Sequence, residues 1–316
     1  MFDNGAQIMT SVRVGVTPGI DIWTRPWDER RKVVELVADA GIDHVFFADH
    51  VSFRVGHGHD GMVVAAAVAN LHPTIGIYIG VYLLPLRHPI PVARQLANLA
   101  EMAPGRISFG VGVGGDDRHE VEICGVDPTT RGKRTDESLS VLQRLLAGET
   151  VNHAGEFFQF EEARIIPTPN PPIPVYVGGR ADAALRRAGK YADGWLGIWC
   201  SSERYADSIA IFNQAAEEAD RQVQADHGIQ LWVGVGKDRA EAASFVGPAM
   251  EGFYRVPFDK FARYTPHGTV NDIVDFLAPY LDAGCRHFNL TPVASTAEVG
   301  IEVIAEVGER LRKMAD

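Results

Sequence analysis

Asp49 and His50 end the run HVFFADH, where an apolar strand gives way to a loop. A histidine at such a strand end is suited to donating or accepting a proton near neutral pH, with a carboxylate beside it. The same pair reads equally as structural, Asp49 bonding nearby backbone N–H groups and His50 packing in place. A second constellation is Gly178-Gly179-Arg180-Ala181-Asp182, between a short apolar strand and a helix. Successive glycine N–H groups and a helix N-terminus together form a phosphate cradle, whereas the plain alternative is a tight turn. A third is the run GVGVGGDDRHEVE, Gly110 to Glu122. Its glycines let another group, commonly a ligand, approach the backbone closely. Asp116, Asp117, Glu120 and Glu122 offer an acid/base pair or simply a solvated face. Arg87-His88 lies between Pro85 and Pro89 and reads as closing a strand rather than as catalytic. His57 and His59 sit in a glycine-rich loop with Asp60, too weak a ligand set for a metal site. Trp195 and Trp199 line a pocket or pack in a core.

These residues need elements to hold them. Apolar strands read at Val12–Val16, Val45–Ala48, Ile75–Leu83, Ile107–Gly112, Val175–Val177, Gly194–Gly197, Ile229–Val235 and His287–Leu290. Helical spacing follows each, as in Val33, Val34, Val37 and Ala40, which Asp28 can cap and Gly41 stops. Longer helices read at 133–147 and 203–226, and Thr269 or Asn271 can cap the next. Strict alternation of this kind predicts parallel strands, and about eight such units in one chain predict a single α/β domain over 1–316, a closed (β/α)8 TIM barrel. The charged loop after strand 4, a small hairpin at 151–160, and an irregular stretch at 237–268 after strand 7 are insertions. An open doubly wound sheet in two domains is the alternative. In the barrel, Asp49, His50, Leu84, the GVGVGG loop, Gly178 to Arg180 and Gly197 all share one face. Gly110, Gly112 and Gly115 match a dinucleotide fingerprint by spacing, but the helix and the acidic strand end that the fingerprint needs are missing.

The 316 residues carry a formal charge of −11, which argues against binding along a nucleic-acid backbone. Cys124, Cys200 and Cys285 lie far apart and fit buried thiols in a reducing compartment, with no disulfide or zinc spacing. The first residues lack a basic start and an apolar core and read as a loose tail, and the most apolar run, 75–86, is too short to span a bilayer. The expectation is a soluble cytoplasmic protein acting on a small molecule, without metal, membrane or nucleic-acid partner. G-x-S-x-G, the phosphate-loop lysine motif and H-E-x-x-H are all absent, which removes hydrolase and kinase readings.

The runs YLLPLRHPIPVARQLANLAEMAPGR, GRISFGVGVGGDDRHEVEICGVDPTTRGKRTDESLSVLQRLLAGETVNHAGEFFQF and PIPVYVGGRADAALRRAGKYADGWLG resemble the bacterial luciferase-like flavin/deazaflavin oxidoreductases. The resemblance extends in order from FFADH to the last strand and helix. It implies a (β/α)8 barrel that binds FMN or the deazaflavin coenzyme F420, with the F420 branch favoured. Residue by residue, it implies His50 as the proton-handling group and Asp49 near the isoalloxazine. Val81, Tyr82 and Leu84 would back the ring, through a cis non-proline peptide in the deazaflavin branch. Gly112, Val113 and Arg118 would flank the cofactor, with Gly178, Gly179, Arg180, Ala181 and Asp182 at its phosphate. The resemblance further implies a homodimer. One departure stands out: Gly115 occupies the position where the family's sugar-phosphate dehydrogenases carry an acid, which argues against sugar-phosphate oxidation. Three functions follow: an F420-dependent oxidoreductase, an FMN-dependent monooxygenase served by a flavin reductase, or a deazaflavin-binding protein without turnover.

Overall fold

In chain order the elements are β1 (Arg13–Val16), α1 (Trp27–Asp39), β2 (His44–Phe47), α2 (Gly61–Leu71), β3 (Gly76–Leu83), α3 (Pro89–Met102) and β4 (Ile107–Gly112). Then come α4 (Arg118–Ile123), α5 (Arg131–Leu146), the hairpin β5 (Val151–Ala154) and β6 (Gln159–Ala163), β7 (Val175–Gly178), α6 (Asp182–Tyr191) and β8 (Gly194–Ile198). The chain continues with α7 (Ser202–Glu218), β9 (Gly228–Val235), α8 (Arg239–Tyr254), β10 (His267–Gly268), α9 (Val270–Asp282), β11 (His287–Val293) and α10 (Ala297–Ala315). This computed structural model describes residues 11–19, 22–54, 56–115, 117–223 and 226–315. The N-terminal tail and Asp116 lie outside the described residues.

Strands β1, β2, β3, β4, β7, β8, β9 and β11 pair in that order, and β11 pairs back to β1, so the sheet closes. Every one of these pairings is parallel. The insertions fall after the fourth and seventh barrel strands, as expected. Alternate side chains along each strand divide between two layers. Val14, Val16, Val45, Phe47, Ile77, Ile79 and Val111 pack outward against the helices. Phe46, Tyr78, Tyr176 and Leu196 fill the inside with Val81 against them. Lower in the barrel the filling turns polar. His44 Nε2 lies 2.6 Å from Asn289 Oδ1, and His287 Nε2 lies 2.5 Å from the Asp226 carboxylate, which also accepts from Arg13.

Three local expectations change. The stretch 237–268 contains a sixteen-residue helix, α8, capped by Asp238 and carrying Pro248 inside it. That proline and the glycines at 247 and 252 disguise it in sequence. Helix α7 stops at Glu218, and the chain leaves it through Asp220 at φ 52°, so Asp226 is free to enter the barrel floor. Helix α1 begins at Trp27, with Pro26 at its cap and Asp28 in its first turn instead of at the cap. Thr269, not Asn271, caps α9, in a reciprocal box with Asp272.

Candidate active site

The carboxyl ends of the barrel strands bring together β2, β3, β4 and β7. Asp49 lies two residues past the end of β2 and is buried. Its Oδ1 accepts from the Gly61 N–H (2.8 Å) and Arg87 Nη2 (2.8 Å), and its Oδ2 from the Leu83 N–H (2.9 Å) and Arg87 Nη1 (2.6 Å). Four donors fill the carboxylate's four lone-pair sites. Asp49 therefore reaches the site through what it holds: the start of α2, the end of β3, and Arg87. Burial pushes its carboxyl up against the pull of Arg87. Burial also works against the Arg87 cation, but Asp49 and Tyr82 hold it above its ordinary value. Arg87 thus acts as a clamp, while His88 caps α3 through Nδ1, in line with the structural reading of that pair.

The peptide Gly80–Val81 is cis, the non-proline bond the resemblance implies. Val81 turns its side chain into the barrel against Phe46, Tyr78, Tyr176 and Leu196. Three glycines make the room. A Cβ at Gly112 would lie 2.4 Å from Val81 Cγ2, one at Gly178 2.8 Å from Val81 Cγ1, and one at Gly110 2.5 Å from the Ile79 carbonyl. The group that approaches Gly112 and Gly178 is thus the protein's own valine, and the group nearest Gly110 is the Ile79 carbonyl. Tyr82 and Leu84 are buried in the outward, helix-facing layer, Tyr82 beneath the Arg87 guanidinium. Burial raises the Tyr82 hydroxyl well above its ordinary value.

His50 follows Asp49 and remains partly open, its side chain 23% exposed. Its ring packs on Phe53 at 4.3 Å between centroids, and the His50 backbone N–H donates to the His59 carbonyl (3.0 Å). Its Nδ1 lies 3.0 Å from Glu120 Oε2. Phe53 stacks in turn on Phe253 of α8, and Arg54 donates to the Tyr254 carbonyl (3.0 Å). The insertion after β9 thereby closes over the His50 loop, its Phe253, Tyr254 and Phe261 joining Trp199 after β8 and Trp232 of β9 in one aromatic wall. Trp199 belongs to this wall, whereas Trp195 is core, its Nε1 donating to the Gly179 carbonyl (2.6 Å).

Helix α4 sorts the three acids of the charged loop that lie among the described residues. Asp117 caps it and accepts the Arg54 N–H. Glu122 is exposed and pairs with Arg118 (2.7 Å), so Arg118 lies on the outward face beside neither His50 nor Val81. Of these three, only Glu120 is buried, against His50. Sequence reasoning did not single it out, although the Arg118–Glu122 spacing marks the outer face and leaves Glu120 on the inner one. Val113 and Gly114 lead from β4 to this helix half-buried.

At β7, Gly179 adopts φ +134° and spends its N–H on the Leu196 carbonyl (3.3 Å), so the cradle's available donors lie beyond it. Helix α6 starts there with Ala181 at its cap and no side-chain cap, unlike α2, α3, α7, α8 and α9. Arg180 is exposed, its guanidinium 5.7 Å from the Trp199 ring, and Asp182 pairs with Arg204 (2.5 Å). An uncapped helix start with two arginines beside it suits an anion. Among the described residues no group of three or more metal-type ligands assembles, and no helix is long and apolar enough to cross a membrane.

A closed barrel with a histidine, a cis-bonded strand and an uncapped helix at one rim defines the class, and the chain belongs to the luciferase-like monooxygenase family, whose model matches residues 3–273. Among particular relatives, an F420-dependent glucose-6-phosphate dehydrogenase of Nakamurella multipartita is 30% identical over 276 residues, covering 78% of this chain and 81% of that protein. An uncharacterised protein of Mycobacterium tuberculosis is 35% identical over 159 residues, so the chain spans about half (54%) of that relative's length. A solved F420-dependent secondary alcohol dehydrogenase, in complex with an F420-acetone adduct, superposes with a TM-score of 0.82 at 20% identity, covering 94% of this chain and 98% of that one. That likeness is one of fold.

Proposed function

We propose that the protein is an oxidoreductase that moves a hydride between coenzyme F420 and a small organic substrate. The observation that carries this reading is His50, half-open at the barrel mouth with one ring nitrogen held by Glu120, and next in sequence to Asp49, whose backbone N–H donates to the carbonyl of the inward-turned Val81 (3.4 Å). The F420-dependent relatives support the choice of cofactor. The residues of the site fit that group. Val81 offers an apolar surface inside the mouth, and the uncapped start of α6 with Arg180 offers a seat for a phosphate. In this reading Val113, half-buried just past β4, flanks the cofactor. F420, when bound, supplies two-electron hydride chemistry, and the protein's part is to orient it and handle the proton. His50 holds or takes that proton, and the aromatic wall from α8 keeps water from the reacting face. Gly115, where sugar-phosphate dehydrogenases of the family carry an acid, turns the substrate away from sugar phosphates. In this reading the protein works in the cytoplasm, consistent with its unpaired cysteines. It does so as a homodimer, for which the exposed Val63 of α2 and Ile123 of α4 offer apolar surface.

The test is titration of the apo-protein with F420 and, separately, with FMN, following tryptophan fluorescence. Micromolar binding of F420 without FMN supports the reading. Binding of FMN alone overturns it in favour of a monooxygenase that needs a flavin reductase. His50→Ala is expected to keep F420 affinity and lose most turnover, so unchanged turnover removes His50 from the chemistry. Tight F420 binding with no turnover in the parent protein would make it a deazaflavin carrier.

A further inference from the structure

Glu120 divides its two oxygens between two tasks. Oε1 accepts the N–H groups of Val51 (2.7 Å) and Ser52 (3.0 Å), while Oε2 faces His50 Nδ1 at 3.0 Å. The residue is only 3% exposed. Burial raises its carboxyl, but the His50 hydrogen bond and the two backbone N–H groups outweigh burial and hold it below the ordinary range. An ionised carboxylate only accepts, so the proton shared with His50 sits on Nδ1. His50 Nε2 makes no hydrogen bond among the described residues. In the neutral ring it is therefore a bare acceptor.

We propose that Glu120 is the positioning residue of this site: it fixes the tautomer of His50 so that Nε2 is presented as a proton acceptor. The inference rests on the reading of His50 as the proton-handling group. The substrate atom next to His50 is then an O–H or N–H donor. Glu120 also locks the direction of the ring, because the oxygen opposite Nδ1 belongs to a group pinned by two backbone donors on the same loop. Asp117 pins that loop independently through the Arg54 N–H, without touching His50.

The two carboxylates therefore separate loop anchoring from tautomer control, and Glu120→Gln exploits the difference. The amide oxygen must keep the Val51 and Ser52 N–H groups, so its NH2 is turned toward Nδ1. The ring nitrogen there becomes an acceptor, and the proton moves to Nε2. The experiment is nitrogen NMR on histidine-labelled protein without cofactor, with the His50 signals assigned by their loss in His50→Gln. The expected result is Nδ1–H in the parent protein, Nε2–H in Glu120→Gln, and no change of tautomer in Asp117→Asn. The same tautomer in the parent and in Glu120→Gln overturns the proposal, as does a change in Asp117→Asn. Because no cofactor is present, these outcomes stand whether or not F420 proves to be the cofactor. With F420 and a turned-over substrate, Glu120→Gln is expected to lower kcat on the order of 100-fold with cofactor affinity unchanged. Parent-like kcat in a variant shown to hold Nε2–H also overturns it.

Discussion

Replacing Asp49 by Asn keeps its volume and removes its charge, at a point where four donors converge. In the parent protein Arg87 delivers both terminal nitrogens to Asp49, at 2.6 and 2.8 Å, and Gly61 and Leu83 add backbone N–H groups. An amide has one acceptor oxygen and one donor nitrogen, so at least one of these donors meets another donor. Arg87 then keeps only the neutral Leu83 carbonyl (3.2 Å) and Asp60 (3.1 Å), whose side chain is 41% exposed. Breaking a buried, bidentate pair from one side costs about 3–5 kcal/mol, mostly because the remaining charge is left unpaired. Urea denaturation reads this as a lower midpoint at unchanged slope. The sharper test is the double variant Asp49→Asn with Arg87→Met. Once the stranded cation is gone, the second substitution should cost less than it does alone, with a coupling energy of about 1–3 kcal/mol. A loss below about 1 kcal/mol for Asp49→Asn, or strict additivity in the cycle, would refute the clamp and the role given to Asp49.

Two further predictions follow from packing and burial. Gly112→Ala places a Cβ 2.4 Å from Val81 Cγ2 and should cost about 1–3 kcal/mol by overpacking, most of it recovered when Val81→Ala is added, as thermal melts of the two variants will show. Burial lowers His44 and His227 from 6.5 to about 4, so between those values the unfolded chain binds protons that the folded chain refuses. Stability is therefore complete above pH 6.5 and is lost as the pH falls toward 4, by roughly 3 kcal/mol for each histidine. Urea midpoints at pH 7 and pH 4.5 measure this, and a midpoint that holds or rises on acidification contradicts it.

The barrel was legible because its signal is repeated. Every strand is a short apolar run, every run is followed by a helical stripe, and parallel pairing is the arrangement that such alternation allows. Helix α8 was not legible, since Pro248 within it and two flanking glycines weaken the local signal that its burial of Ala242, Val246 and Met250 restores. Among site residues, the strand ends carrying Asp49, His50 and Gly178 followed directly from the alternation. The meaning of the glycines did not. Spacing suggests that something comes close to Gly110, Gly112 and Gly178, but only the course of β3 identifies it as Val81 at Gly112 and Gly178 and as the Ile79 carbonyl at Gly110. Arg87 and Glu120 were harder still, because their partners lie 38 and 70 residues away in sequence.

Asp49 and Glu120 show why residue type alone underdetermines a site. Both are buried carboxylates, and each binds two backbone N–H groups. What separates them is the last partner. Asp49 faces a guanidinium that stays charged at any working pH, so the pair is fixed and its effect is mechanical: it holds β3 where Val81 enters the barrel. Glu120 faces an imidazole, which can lose or gain a proton without leaving its place. The neighbour that cannot titrate makes Asp49 a strut, and the neighbour that can lets Glu120, in the proposed role, set which ring nitrogen of His50 carries the proton. If that division holds, neutralising Asp49 should be felt first in stability, and neutralising Glu120 first in turnover.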